Sequence, residues 1–416
     1  MNPVIRNIFW LLAEHGSRII LSTLSVSLMA RALGVEQYGL LQYTLGLVAA
    51  FSSISFICGA EVLVPPLVTA TPAERKRLLG NAFVLRQAAS IVAYICLLLF
   101  AWAAEDRSNF LLITLMGITI LLTESFAVVT AWLQSQTNMK PRAVLSIFSL
   151  TFRLTVVATL YYSSVQNIYF YALFYLLDSV IVAVGLFFIY KNKNEGIHFQ
   201  YDLKYIVDLL KKGLPFWAAL ILMNIQARID IIMLKHYSDR YNLGIYSAAL
   251  QFLNLIIMLA SIINTSLAPR YVYGQDDKKK AHKNTGVISM AMFLLAILLA
   301  LMARILSTPV LHLLFGEKFN GSAPLFNKMI WTVCLIFLDS SLSLYLIREN
   351  KSKSIIVKYF LSLVVSCSAH FYFIPIYQAD GAILGYTTGW LSACLISIYF
   401  FVKNKPEASD TCNLIK

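Results

Sequence analysis

Charge is scarce in this sequence. Asp, Glu, Lys and Arg make up 13% of its 416 residues, about half the roughly 25% of a soluble domain. No stretch is polar enough to form a sizeable soluble domain. There is no GxxxxGK[ST] segment, so no phosphate-cradling loop for ATP hydrolysis in the same chain. HExxH, GxSxG and paired metal-ligand spacings are also missing, so neither a metal site nor an enzyme is expected, and no cofactor. The six cysteines form no CxxC pair. Cys58, Cys96, Cys334, Cys367 and Cys394 fall inside apolar runs and read as buried small hydrophobes, with Cys412 in the polar tail.

Apolar residues fill the space that charge leaves, at 59% of the chain with a mean hydropathy of +0.70. They come in continuous runs, not the alternation of barrel strands, and each run is near the 20 residues that cross a bilayer as helix. Spans are placed near 8–30, 39–63, 82–103, 109–134, 143–162, 167–190, 213–235, 242–268, 285–305, 324–347, 354–374 and 381–402. The fold expected is therefore an all-α polytopic membrane protein with about 12 transmembrane helices.

The net charge of +13 suggests nucleic acid until the charges are located. They gather in alternate loops: Arg75, Lys76, Arg77; Lys140, Arg142; Lys191, Lys193, Lys204, Lys211, Lys212; Lys278, Lys279, Lys280, Lys283; Arg348, Lys351, Lys353, Lys358. The opposite loops carry Arg31, Arg107, Lys235, Arg240, Arg304 and Lys318. That asymmetry puts both termini in the cytoplasm. It needs no nucleic-acid partner.

The chain also repeats itself. Phe9-Trp10 opens a span that holds Arg18 and leads through RALGVEQYG to a second span; Phe216-Trp217 opens one that holds Arg228 and leads through a polar turn to Leu243-Gly244. Two six-helix bundles related by a pseudo-two-fold repeat follow, at 1–196 and 213–403. Between them, 197–212 reads as an amphipathic interfacial linker with Leu203, Ile206, Val207 and Leu210 on one face. Residues 404–416 read as a disordered cytoplasmic tail. Parallel repeats of this kind place a transporter's substrate between them.

A charge at mid-bilayer costs at least ~2.5–3.5 kcal/mol, so it faces the bundle interior or water. Arg18, Arg86, Arg153 and Arg228 lie within spans one, three, five and seven; Glu14, Glu124, Asp178, Asp230 and Asp339 are the intramembrane acids that matter. Two readings stand for each. One is a buried ion pair, Arg153 with Glu124 or Asp178 for example, and Asp230 and Asp339 neutralising Arg228 and Lys328. The other is a cationic cavity for a phosphate-bearing cargo, since guanidinium groups bind phosphate oxygens in bidentate pairs, with the acids as coupling groups.

Residues 7–39 resemble the opening of bacterial polysaccharide flippases of the O-antigen (Wzx) type, whose first span ends in an Arg-x-Leu-Gly…Tyr-Gly turn, here Arg31, Leu33, Gly34, Tyr38 and Gly39. The second half is similar to the family at Pro215, at Asp230-Ile-Ile-Met-Leu, at Leu243-Gly-Ile-Tyr-Ser-Ala-Ala and at Phe315-Gly-Glu-Lys-Phe319. The resemblance implies the multidrug/oligosaccharidyl-lipid/polysaccharide exporter superfamily. It implies movement of an undecaprenyl-diphosphate-linked oligosaccharide between leaflets of the bacterial inner membrane, as in lipopolysaccharide O-antigen biosynthesis. Membrane lipid, a polysaccharide polymerase and a chain-length regulator are the partners it implies. Coupling is expected from a proton or sodium gradient or the membrane potential. The related lipid II flippases include some with a sodium site on acids of spans seven and eleven; Asp230 matches the first, but span eleven here has no Asp or Glu. A multidrug/cation antiporter of the same superfamily and a membrane-bound polysaccharide polymerase or ligase are the alternatives. Mid-membrane arginines speak against a cationic cargo, and short outer loops against a polymerase.

Overall fold

The computed structural model describes residues 3–192 and 202–406. Residues 197–201 of the expected linker and 407–416 of the expected tail lie outside the described residues. Among those described, all regular structure is helical. Contacts group the chain into two compact units, Met1–Asn224 and Ile225–Lys416.

In the first unit, α1 runs Pro3–Ser52. Its 50 residues measure about 75 Å at the helical rise, more than twice the roughly 30 Å hydrocarbon core. It therefore has to cross twice. The reversal sits at Gly34, whose φ 74 and ψ 177 belong to a region essentially closed to residues with a Cβ. The expected polar turn is thus a sharp kink at Gly34 between two helical arms of α1.

Span two was expected to reach residue 63, but helix stops after a 3-10 turn at Ser53–Ser55 and resumes as α2, Ala60–Thr69, with Pro65 and Pro66 inside. In the break Cys58 takes φ 54, which a helix does not tolerate. Next come α3, Pro72–Ala104, opened by a Thr71/Glu74 capping box, and α4, Arg107–Ser135. The unit is completed by α5, Lys140–Tyr162, α6, Ile168–Lys191, and α7, Leu203–Gln226. Its core packs Trp132 edge-on to Tyr190 at 5.1 Å, with Leu79, Val128 and Leu186 around them. The amphipathic segment from Leu203 is continuous with the start of span seven. It buries Ile206 and Leu209, leaving Leu203 and Val207 exposed beside Lys204.

The second unit holds α8, Ile229–Tyr237, and α9, Arg240–Ala268, which passes into a π-helical turn at Pro269–Tyr273. Then follow α10, Lys278–Phe315, α11, Ser322–Met329, and α12, Thr332–Arg348. The last two are α13, Ser352–Tyr377, and α14, Ala379–Lys403. The outer loop expected at 305–323 is helix as far as Phe315. Among the described residues, 9 helices are long and apolar enough to span, or 11 if each bent pair (α7 with α8, α11 with α12) is one span. The two arms of α1 bring the crossings to twelve.

α13 and α14 approach closely because Gly381, Gly385 and Gly389 recur every fourth residue along α14, the small-residue stripe of close membrane-helix pairs. A Cβ on Gly385 would stand 2.4 Å from the His370 ring. Gly385→Ala is therefore expected to cost about 1–3 kcal/mol as overpacking, read as a lower unfolding temperature in detergent. His370→Ala, by emptying that space, is expected to recover most of the loss.

Candidate functional site: an arginine-lined cavity in the first unit

A cavity of about 360 Å³ lies among α1, α4, α5 and α6 and is lined by Arg18, Arg142, Ser146, Ser149, Arg153 and Asp178, among others. Four of these come from α5 at positions 142, 146, 149 and 153, spacings that fall on one helical face. From Arg142, at the first turn of α5, to Arg153 the helix rises about 16 Å, roughly half the hydrocarbon thickness. The Arg142 end lies on the side whose loops carry the excess of Lys and Arg.

Each guanidinium is only partly satisfied by protein. Arg18 Nη2 donates to Glu14 Oε1 at 3.0 Å and to Ser146 Oγ at 3.3 Å, with the Arg18 side chain 46% exposed. Arg153 Nη1 donates to Asp178 Oδ2 at 3.0 Å, and its guanidinium lies 4.9 Å over the Tyr175 ring. Ser149 Oγ donates to the other carboxylate oxygen of Asp178. Arg142 lies within electrostatic reach of Glu14, Arg18 and Asp178. Two buried donors, Arg142 Nη1 and Arg153 Nε, have no hydrogen-bond partner. Leaving a buried charged donor unpaired costs more than the ~1–3 kcal/mol of a neutral one, so these N–H groups are set for an acceptor. Three guanidinium groups face two carboxylates here, and a positive charge remains.

The family model for "Polysaccharide biosynthesis protein" matches residues 4–275, well over half of the chain and all of the elements that line this cavity. The chain belongs to that family. A second family model, MatE, matches residues 215–372. Among solved structures, the chain is similar to a lipid II flippase MurJ in an inward closed conformation, with TM-score 0.74, 14% identity, and coverage of 96% of this chain and 88% of that one. It is also similar to an inward-facing multidrug resistance MATE family transporter of the MOP superfamily, with TM-score 0.71, 13% identity and coverage of 92% and 94%. A MATE transporter of Vibrio cholerae follows at TM-score 0.66 and 11% identity, covering 96% of both chains. At these identities the structures establish the fold, that of the multidrug/oligosaccharidyl-lipid/polysaccharide exporters. No curated protein matches the chain.

The chain does not bring all four expected arginines into one cavity. Arg86 is buried elsewhere in the first unit, donating from Nε to Ile57 O and from Nη1 to Glu124 O, both at 2.9 Å. Ile57 lies in the break after α1, where carbonyls lack helical partners. Trp217 Nε1 closes on Ile54 O nearby at 2.9 Å. Arg86 therefore fastens the break, with the Glu124 carboxylate in electrostatic reach. Arg86→Met is expected to cost about 1–3 kcal/mol per abandoned carbonyl, read as thermal stability, while the folded fraction keeps wild-type anion binding. Arg228 belongs to the second unit and occupies the N-cap position of α8, where span seven leaves the helix.

In the second unit the acids have different partners from those expected. Asp230 is fully buried and accepts from Tyr246 OH at 2.6 Å. Asp339 is paired not with Lys328 but with Lys358, whose Nζ lies 3.0 and 3.2 Å from the two carboxylate oxygens. Lys328 instead pairs at the surface with Asp380 at 2.8 Å. Lys358 was assigned to a cytoplasmic loop, yet it is fully buried. Its signal in the sequence is a stripe: Lys358, Ser362, Ser366 and His370 recur every four residues, and all four are buried on α13. Arg142 was also assigned to a loop. Its signal is the polar face that it shares with Ser146, Ser149 and Arg153.

Proposed function

We propose that this protein is a flippase that carries an undecaprenyl-diphosphate-linked oligosaccharide, an O-antigen-type repeat unit, from the cytoplasmic to the periplasmic leaflet of the bacterial inner membrane by alternating access. The observation that carries the reading is the pair of unpartnered buried guanidinium donors, on Arg142 and Arg153, in a cavity with excess positive charge. A diphosphate supplies several oxygens in a compact group, and guanidinium forks bind such oxygens in bidentate pairs. Arg18 joins them as a half-exposed donor. Glu14 and Asp178 hold the arginines in position before cargo arrives. A cationic drug, the cargo of the antiporter reading, would meet like charge in this cavity. The lipid II flippase neighbour supports a lipid-linked cargo, and the family supports a glycan. The work is transport without bond cleavage. A proton or sodium gradient, or the membrane potential, supplies its drive.

The test is complementation of a strain lacking its own flippase. Without the protein, lipid-linked oligosaccharide should accumulate on the cytoplasmic leaflet, and expressing it should move the material outward and restore surface polysaccharide. If the oligosaccharide already reaches the outer leaflet without it and only glycan chain length changes, the protein is a polymerase or ligase and the reading falls.

A further inference from the structure

The arginine cavity and a sugar-linked diphosphate do not balance in charge. Arg18, Arg142 and Arg153 bring three positive charges to the lining and Asp178 a negative one. Glu14, bonded to Arg18 at 3.0 Å, brings a second. The positive charge that remains is met by a phosphodiester, which carries a single negative charge. A sugar-linked diphosphate carries two, so its arrival leaves the cavity negative. An uncompensated charge within a span is costly, and a buried carboxylate beside a like charge removes it by binding a proton.

The geometry selects the carboxylate. The unpartnered buried donors are Arg142 Nη1 and Arg153 Nε, so the phosphates come to these two side chains. Asp178 Oδ2 is bonded to the same Arg153 guanidinium, through Nη1 at 3.0 Å. A phosphate on Nε therefore shares that guanidinium with Asp178, which also lies within electrostatic reach of Arg142. The Asp178 side chain is only 17% exposed, so little water shields the two anions from each other. Glu14 is bonded instead to Arg18, whose side chain is 46% exposed and has no share in the unpartnered donors. The other titratable group beside Asp178 is Tyr175, whose ring lies under the Arg153 guanidinium at 4.9 Å. From α4 the lining takes Thr123, which carries no charge.

A protonated Asp178 also keeps a partner. In the empty cavity Ser149 Oγ donates to Asp178 Oδ1. The same Oγ lies 3.2 Å from the backbone oxygen of Asp178. Hydroxyl protons rotate to suit their surroundings. Ser149 can thus turn its proton to that carbonyl and accept from the carboxyl group.

We propose that binding of a sugar-linked diphosphate takes up a proton onto Asp178, and that a sugar-linked monophosphate binds the same arginines without one. The proton comes from solvent, and no bond of the cargo breaks. The inference rests on the diphosphate reading above. It is tested by calorimetry on the full-length protein in nanodiscs, in two buffers of different ionisation enthalpy. The probes are N-acetylglucosamine linked to farnesol through a diphosphate and through a monophosphate. Neither linkage titrates near neutral pH, so the buffer-dependent heat counts protons bound by the protein. The wild type should take up about one proton more with the diphosphate, and its affinity for that probe should rise by up to about tenfold for each unit by which pH falls. Affinity for the monophosphate should stay level. Asp178→Asn should remove the difference and the pH slope, and Glu14→Gln should keep both. If Asp178→Asn does not fold, the infrared difference spectrum of Glu14→Gln should gain the carbonyl band of a protonated carboxyl group with the diphosphate and not with the monophosphate. Equal proton uptake with both probes, a difference that survives Asp178→Asn, or no such band overturns the inference. Failure of the diphosphate probe to bind at all would instead remove the flippase reading beneath it.

Discussion

Arg142→Gln and Arg153→Gln are each expected to weaken binding of undecaprenyl diphosphate by about ten- to a hundredfold, the range for one charge-assisted hydrogen bond at about 1.5–3 kcal/mol, and to reduce export in step. The two substitutions differ in what they leave behind. Arg142 Nη1 has no hydrogen-bond partner to abandon, so its loss should leave stability close to wild type. Arg153→Gln takes away the direct ion pair of the Asp178 carboxylate, leaving it the Ser149 hydrogen bond and the more distant charge of Arg142, and stability should fall as well. Adding Asp178→Asn separates the roles. Arg153→Gln with Asp178→Asn should recover the unfolding temperature but not the affinity. Recovery of both would reduce Arg153 to a structural ion pair and leave Arg142 and Arg18 to hold the phosphate. Isotherms for the bare carrier, taken beside unfolding curves of the same preparations, decide the matter.

The second large effect is on folding. Lys358 and Asp339 form a fully buried pair, with Lys358 Nζ also donating to Ser343 Oγ at 2.8 Å and Ser397 Oγ donating to Asp339 at 2.6 Å. Removing one partner of such a pair strands the other charge, at a cost of about 3–5 kcal/mol, whereas replacing both with apolar residues is often neutral or better. Lys358→Met should therefore sharply reduce the amount of folded protein in the membrane and lower its unfolding temperature. Lys358→Met with Asp339→Leu should restore both. If the double variant folds but no longer exports, the pair has a transport role beyond packing. Normal export would make it structural alone.

The main elements were readable from the sequence because a bilayer imposes a strong rule: long apolar runs must be helices. The breaks were harder to see. The break at 56–59 interrupts an apolar run without an obvious polar signal, and only the three-dimensional approach of Arg86 to Ile57 O within it and of Trp217 to Ile54 O just before it reveals why it holds. Arg86 was therefore grouped with the cavity arginines that it resembles in depth and type. Arg18, Arg153 and Asp178, which stand out in the sequence as charges within apolar runs, line the cavity together, with Glu14 bonded to Arg18. Arg142 and Lys358 were missed for the opposite reason. Both sit close to a span boundary drawn from hydropathy, where a long basic side chain can usually snorkel to water. Reading the helical face instead of the boundary brings both back inside. The Lys328–Asp380 pair also needed the fold, because 52 residues separate its members in the chain.

The most direct measurement is translocation of undecaprenyl-diphosphate-linked N-acetylglucosamine in proteoliposomes containing only this protein, with ion gradients and membrane potential imposed in turn. The account predicts that the probe crosses faster than in protein-free vesicles under at least one of these conditions, and that Arg142→Gln with Arg153→Gln abolishes the gain. Vesicles that accumulate a cationic dye through the protein but leave the lipid-linked sugar where it began would contradict it.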